Sequence, residues 1–336
     1  MILLNYSCRS EGADSHYIEL ASVPTGLKSS SDPSEVMRYN SMSSVWVSRN
    51  RIASVDKNGA LSIRNTKNDS VNILEIGQVD AVFYAGTGFI LAQVGDKVSL
   101  IDAKDNYIVS SIFFGKVRFV QWSSDFTRVA LVSKRDIIIC TKKLEILTTH
   151  SEVNSIKSCT FVSGNISIVL FTTPCHIKYI IVPSGDYGIV RTLDVVLYIV
   201  HAKDKNISFL DREVKPRILT IDNTEYLFKL ALLEERYEEV LRIIRSSNLV
   251  GQALISFVRE KGLPEIALHF IKDTRTKFLL SLECCNMEIA LEMAKHLDDP
   301  DCWKKLASSA LKLGNIQIAE ECYIRVKDFH HLSFLY

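Results

Sequence analysis

The sequence predicts a multidomain chain, β over residues 1–221 and α over residues 222–336. Three observations predict it: period-2 apolar runs fill the first two thirds, aromatic residues recur there at a near-constant interval, and beyond Asp222 the apolar period becomes 3.6 residues. The chain has 336 residues, of which 47% are hydrophobic, which is enough for two cores. About 100–200 residues per domain makes two parts the natural division.

In the first part, Arg51-Ile-Ala-Ser-Val-Asp56 and Ala60-Leu-Ser-Ile-Arg64 read as strands around Lys57-Asn-Gly59. Asn-Gly there signals a hairpin, because both residues reach positive φ cheaply. The unit recurs. Trp46, Phe83, Trp122, Phe161 and Tyr198 lie 37, 39, 39 and 37 residues apart and read as the ends of first strands. Second and third strands then follow: Ile90–Val94 with Lys97–Asp102, Val129–Ser133 with Asp136–Cys140, Ile168–Thr173 with His176–Val182, and Tyr198–His201 with Asn206–Asp211. A four-stranded unit of ~40 residues has the size of a propeller blade. Residues 1–221 therefore read as a partial WD-type β-propeller, degenerate because the Gly-His and Trp-Asp dipeptides are absent. The aromatic residues read as apolar filling between blades. Four blades and a fraction are few for closure, and Met1 opens directly on a strand-like run, so further blades are expected upstream. Pro24–Ser44 reads as a serine-rich surface loop, residues 24–44.

The second part reads as the start of an irregular tetratricopeptide-like α-solenoid, 222–336. Trp303, Leu306, Ala307, Ala310 and Leu311 share one helical face, as do Met287, Ala290, Leu291 and Ala294, while Lys304, Lys305 and Ser308 face away. Asp299-Pro300 predicts a helix start and Gly314 a stop. Gly262-x4-Ala267, Cys285-x4-Ala290 and Gly314-x4-Ala319 each place a turn residue five positions before a small residue, with offsets of 23 and 29 between units. Trp303-x2-Leu306-x7-Gly314-x4-Ala319-x3-Tyr323 approximates the tetratricopeptide pattern. The apolar ending Leu332-Ser-Phe-Leu-Tyr336 lacks a cap, so the array is expected to continue.

No residue is predicted to be catalytic, cofactor-binding or metal-ligating, and no cofactor is predicted. A net charge of +1 argues against nucleic acid as a partner. The eight cysteines form no C-x-x-C pair and read as reduced, mostly buried thiols of a cytoplasmic protein. Val195–Val200, the longest apolar run, is far below the ~20 residues of a membrane helix, so any membrane association is expected to be peripheral. Gly86-Thr-Gly88 precedes a strand and reads as a β-turn, not a phosphate loop. His150, His176 and His201 lack partners at metal spacing, and the rings of His330 and His331 are expected to point apart. In Cys284-Cys285 one thiol is expected to face the core and one the helix surface. Lys142-Lys143, Lys304-Lys305 and Arg212…Lys215…Arg217 read as solvated faces, or as lipid-attracting patches on a membrane-facing side. No small-molecule substrate is predicted.

Several segments resemble one family. Val45-Trp-Val-Ser-Arg-Asn-Arg51, Phe83-Tyr-Ala-Gly-Thr-Gly88, Gly185-Asp-Tyr-Gly-Ile-Val-Arg-Thr-Leu-Asp194, Leu210-Asp-Arg-Glu213, Pro216-Arg-Ile-Leu-Thr-Ile-Asp222, Leu249-Val-Gly-Gln252 and Ala267-Leu-His-Phe270 resemble, in order, the alpha-subunit family of coatomer. The resemblance runs from about Val45 to Tyr336 and fits the serine-rich segment poorly. It implies the later blades of a second WD-repeat propeller and the start of a solenoid, in a non-enzymatic coat subunit for retrograde Golgi-to-ER and intra-Golgi transport. Implied partners are other coatomer subunits, especially beta-prime, and, indirectly, the Golgi membrane through an Arf-type GTPase. Cargo-binding residues are implied to lie in a first propeller, outside this sequence. The alternative is the beta-prime subunit or another propeller–solenoid trafficking scaffold of the intraflagellar-transport type.

Overall fold

The computed structural model describes the backbone of residues 2–10, 13–21, 37–65, 71–74, 76–246 and 252–336, and the side chains of 41–65, 72–74, 76–246 and 254–336. It divides into two compact units, Met1–Tyr226 and Leu227–Tyr336. The first is a partial β-propeller, the second a tetratricopeptide-like helical array.

The strands follow in chain order as antiparallel sheet units. The first has three strands, β1 (Ile2–Ser10), β2 (Ala13–Ala21) and β3 (Met37–Asn40). Three four-stranded units come next: β4 (Ser43–Ser48), β5 (Arg51–Val55), β6 (Leu61–Asn65) and β7 (Val71–Leu74); β8 (Ala81–Tyr84), β9 (Phe89–Val94), β10 (Lys97–Asp102) and β11 (Tyr107–Phe113); β12 (Phe119–Trp122), β13 (Arg128–Val132), β14 (Asp136–Thr141) and β15 (Ile146–Ser151). A seven-stranded sheet completes the unit. In it, β16 (Ser158–Ser163), β17 (Asn165–Thr172), β18 (His176–Ile181) and β19 (Tyr187–Thr192) join β20 (Tyr198–Lys203), β21 (Asn206–Leu210) and β22 (Pro216–Thr220). The junction is a short parallel pairing of β16 with β20, Val162 opposite Ala202 and Ser163 opposite Lys203.

Period-2 alternation explains how the blades stack. On β9 and β10, Ile90, Ala92 and Ile101 turn toward the preceding blade and pack with Ala53, Leu61 and Ile63. Leu91, Val98 and Leu100 turn the other way, onto Val129, Leu131 and Cys140. The next blade repeats the division, with Ala130, Val132, Ile137 and Ile139 packed on Phe161, Val169, Phe171 and Ile180. Central strands thus bury both faces and read as nearly continuous apolar runs, whereas outer strands such as β11 are mostly exposed. Phe83, Trp122 and Phe161 pack in these cores between blades, as their spacing predicts.

Polar links between blades share that spacing. Trp122 donates to the Tyr84 carbonyl at 2.6 Å, Arg118 to Ile156 at 3.3 Å and Arg128 to Ile166 at 3.1 Å, each across 38 residues of sequence. Gly59 occupies the Asn58-Gly59 turn at φ +77, where a Cβ would lie 3.0 Å from the Gln78 backbone, so both conformation and close approach require glycine. Gly86-Thr-Gly88 is a strand-to-strand turn, as expected.

Two expectations for this part are corrected. Tyr198 does not end a first strand ahead of a second; it opens β20, which is itself the innermost strand, and its blade has three strands. The apolar run Val195–Val200 hides this boundary, because the chain enters β20 without a polar break. Of the serine-rich segment, residues 24–36 lie outside the described residues, but Met37–Asn40 and Ser43–Ser44 belong to strands. Ser41, buried between β3 and β4, is satisfied by donating its Oγ hydrogen to the Val55 carbonyl at 2.9 Å.

The helical unit is built by one repeated turn. Its helices are α1 (Thr224–Leu233, whose first turn lies in the strand unit), α2 (Tyr237–Ser246), α3 (Gln252–Glu260), α4 (Pro264–Ala267), α5 (Thr274–Glu283), α6 (Met287–Leu297), α7 (Pro300–Lys312), α8 (Ile316–Val326) and α9 (Phe329–Leu335). Glu235, Gly262, Cys285, Gly314 and Lys327 all take left-handed φ after a helix. The next residue's N–H then returns to a carbonyl of the last turn: Arg236 to Ala231, Leu263 to Val258, Asn286 to Ser281, Asn315 to Ala310 and Asp328 to Tyr323, at 2.8–3.1 Å. These are Schellman closures, which satisfy the orphan carbonyls of a helix end. Asn286, Asn315 and Asp328 also cap the following helix, accepting from Ile289, Ile318 and His331.

The predicted Gly262, Cys285 and Gly314 units therefore stand, and Ala267, Ala290 and Ala319 are fully buried where helices meet. A unit that the repeat missed precedes them, Glu235-x4-Val240, because glutamate and valine replace the glycine and alanine that signal it. Trp303, Leu306, Ala307 and Ala310 are buried as predicted. Leu311 is corrected: at 42% exposed it lies outside the packed stripe.

Candidate functional site

The most concentrated chemistry in the strand unit was not foreseen. Lys178 Nζ on β18 holds both Glu152 oxygens, at 2.9 and 2.8 Å, and His150 Nε2 on β15 stands 3.5 Å from Oε2. All three side chains are largely buried. The His150 ring is fixed against Phe171 and Tyr187, with centroids 5.6 and 4.6 Å away. Burial pushes the Glu152 carboxyl up, but the Lys178 hydrogen bonds and charge, with His150, outweigh it and hold the group below its ordinary value. A carboxylate so held is a poor proton acceptor, which suits a structural tie between blades better than acid–base chemistry. No local signal could reveal it, since Glu152 and Lys178 are 26 residues apart on different blades.

The remaining candidates resolve as structural. Burial pushes the Cys140, Cys159 and Cys322 thiols up to about 12, so they remain protonated core groups. Cys284 is half-buried against the helical core and Cys285 is exposed, the division expected of the pair. Burial and the neighbouring Glu265 and Glu283 push the Cys284 thiol up as well. These cysteines border a groove of about 780 Å³ between helices, lined also by Glu265, Lys277, Glu288 and Asn315. Its charges are mixed, and the Cys284 thiol, held above its ordinary value, is not activated. Cys175 is exposed.

His201 reaches Ser163 at 3.2 Å. His330 and His331 correct the expectation of divergent rings, for their centroids are 5.6 Å apart, edge to face. Asp328, which holds His331 Nδ1 at 2.8 Å while capping α9, fixes that ring where it stacks on Tyr323 of α8. Among the described residues no group of three His, Cys, Asp or Glu is arranged to hold a metal ion, and no helix is long and apolar enough to cross a membrane. Two cations of the Arg212…Lys215…Arg217 cluster are paired locally, Lys215 with Glu213 at 2.6 Å and Arg217 with Asp211 at 2.8 Å. Lys304 and Lys305 face solvent, as predicted.

What the arrangement offers is surface. Blade ends and helix hairpins expose large apolar side chains, among them Phe113 and Ile218 on strands, Val153 in the loop between β15 and β16, and Ile316 and Ile324 on the helices. Such side chains mark protein contacts when they cluster.

Comparison with known proteins agrees on what these surfaces belong to. Residues 12–211 match the family model "COPA/B second beta-propeller", and residues 228–336 match "COPA/B TPR domain". Coatomer subunit alpha-3 of Oryza sativa subsp. japonica is 43% identical over 296 residues, 88% of this chain and 24% of that protein. A putative coatomer subunit alpha of Schizosaccharomyces pombe is 41% identical over 87% of this chain and 24% of its own length. Coatomer subunit alpha of Saccharomyces cerevisiae is 38% identical over 91% of this chain and 25% of its own length. The chain thus spans about a quarter of the curated relatives it matches.

Proposed function

The chain belongs to the COPA/B family of coatomer subunits, and on that premise we propose that it is a structural segment of an alpha-type subunit in a vesicle coat. The observation that carries this reading is the likeness to coatomer subunits alpha across 87–91% of the chain, through both the propeller and the TPR region. The chain works by protein–protein contact, with residues 1–221 as the propeller portion and 222–336 as the solenoid portion. Its partners are the other coatomer subunits, especially beta-prime. It reaches the cytoplasmic face of the Golgi membrane peripherally, through an Arf-type GTPase, and serves retrograde Golgi-to-ER and intra-Golgi transport. No catalytic, cofactor-binding or metal-ligating residue is assigned to it. Its repeated Schellman turns and its cores between blades support a scaffold, since each repeat rests on its neighbours and leaves the outer faces for partners.

The test is affinity purification of the tagged protein at its native locus under stringent washing. Recovery of the remaining coatomer subunits in comparable amounts is expected, and their absence overturns the proposal.

A further inference from the structure

Three loops at one end of the strands concentrate unpaired positive charge. Lys116 and Arg118 lie on the loop between β11 and β12, Lys134 and Arg135 on the turn between β13 and β14, and Lys157 on the loop between β15 and β16. Hydrogen bonds stitch these loops together. The Ser133 hydroxyl donates to the Lys116 carbonyl at 2.9 Å, the Ile156 N–H to the Lys134 carbonyl at 2.9 Å and the Glu152 N–H to the Arg135 carbonyl at 2.8 Å. Arg118 reaches across to the Ile156 carbonyl at 3.3 Å. Five cations from three separate stretches of chain are thereby gathered on one surface.

That charge is not cancelled locally. Lys116, Arg118, Lys134 and Arg135 are exposed and Lys157 is half-buried, and among the described residues none of the five forms an ion pair. Three carboxylates border them. Glu152 has both oxygens on Lys178, a further cation that balances it. Asp136 accepts from the Ser151 hydroxyl at 2.7 Å, and Asp96, whose carbonyl receives the Phe114 N–H, is exposed. Set against the five cations, Asp136 and Asp96 leave an excess of three positive charges. Farther out, Asp80 and Lys97 add one charge of each sign. The whole chain carries only +1, so the excess is a property of this surface. Like charges held side by side repel one another, and an anionic partner relieves that repulsion.

We propose that this surface docks an acidic segment of a partner protein, a run of Asp and Glu side chains in extended chain. Charge complementarity selects the anion. The mosaic of the patch selects a peptide over a lipid surface. A membrane presents negative charge everywhere and would press on Asp96 and Asp136, whereas a peptide can set its carboxylates on the cations and its N–H groups toward those two. Half-buried Lys157 is also more accessible to a single chain than to a flat surface. Arg118, with one N–H on Ile156, keeps its others for a carboxylate. This goes beyond the coat scaffold and does not rest on it, because it concerns one surface and one ligand class.

The test uses the 336-residue chain and fluorescein-labelled peptides read by anisotropy: a glutamate-rich peptide, its glutamine counterpart and its lysine counterpart. Saturable binding of the first is expected below about 1 mM, about ten-fold tighter than the second, with none of the third. Lys134→Glu combined with Arg135→Glu should weaken binding about ten-fold. The melting temperature should hardly change, since both side chains are exposed and unpaired. Lys142→Glu combined with Lys143→Glu makes the same change in net charge at the other end of β14, where both lysines are exposed, and should bind as the parent does. The proposal is overturned if the glutamate peptide does not saturate below about 1 mM, or if the glutamine peptide binds as well. It is overturned equally if the Lys134 and Arg135 variant binds as the parent does, or if the two double variants weaken binding alike, which marks a response to net charge only. Vesicles containing phosphatidylserine that bind in a Lys134- and Arg135-dependent way, while the peptide does not, overturn it too.

Discussion

Replacing Gly188 by alanine should unseat Tyr179. The two face each other in the pairing of β18 with β19, and the Tyr179 ring lies across the glycine. A Cβ at position 188 would stand 2.6 Å from Tyr179 Cε1 and Oη and 2.7 Å from Cζ. Carbon atoms rest ~3.5–4.0 Å apart, so the ring must withdraw by about 1 Å. It has little room to do so, being fully buried. Its hydroxyl donates to Glu225 Oε1 at 2.7 Å, and its ring lies 5.5 Å from that of Tyr226. Overpacking costs ~1–3 kcal/mol. Weakening a hydrogen bond to a carboxylate adds part of its ~1.5–3 kcal/mol, and relief of glycine's backbone entropy returns ~0.5–1 kcal/mol. The net loss is about 2–4 kcal/mol. For a unit of this size that lowers the melting temperature by roughly 4–16 °C, at ~2–4 °C per kcal/mol. Differential scanning calorimetry should show the shift in the transition of the strand unit. In a Tyr179→Ala background the overlap is gone, so Gly188→Ala should cost under ~0.5 kcal/mol more. A Gly188→Ala protein melting within a degree of the parent, or strictly additive losses in the double variant, would refute the steric argument.

Other outcomes follow from the same geometry. Glu152→Gln leaves Lys178 buried without its charge partner and should cost ~3–5 kcal/mol at pH 7 by urea titration. Because the folded carboxyl titrates below its ordinary 4.5, its contribution is present above that value and lost as pH falls through the folded value. The stability gap between the two proteins should therefore narrow on acidification below about pH 4.5, and a constant gap would count against the tie. In the helical unit, Asn315→Ala removes the cap accepted from Ile318 and should cost ~1 kcal/mol by circular dichroism melts. Cys285→Gly relieves a left-handed residue and should raise stability by up to ~1 kcal/mol. Trp303→Ala empties a site that is 2% exposed, where Arg325 lies 5.0 Å over the ring, and should cost ~3–5 kcal/mol by the same measurement.

The aromatic spacing and the period-2 runs made the blades legible, because each blade must meet two neighbours and repeats its pattern to do so. The helix hairpins were legible where a small turn residue, glycine or Cys285, preceded an alanine by five positions. They were missed at Glu235, where the left-handed turn forms without its usual residue. Tyr198 was misplaced by one strand because an unbroken apolar run conceals where a loop enters β20. Leu311 was assigned to the core because periodicity reports a stripe and not its width.

Sequence alone determined the kind of element, the order of β before α and, through ordered resemblance, the family. These depend on local periodicity and on which residues tolerate positive φ, and both are written in short stretches of chain. Tertiary structure alone decided the Glu152–Lys178 tie, the fit of Tyr179 over Gly188 and the gathering of Lys116, Arg118, Lys134, Arg135 and Lys157 on one surface. Each joins residues from different strands or blades, and the distance that gives it meaning exists only once those elements pack.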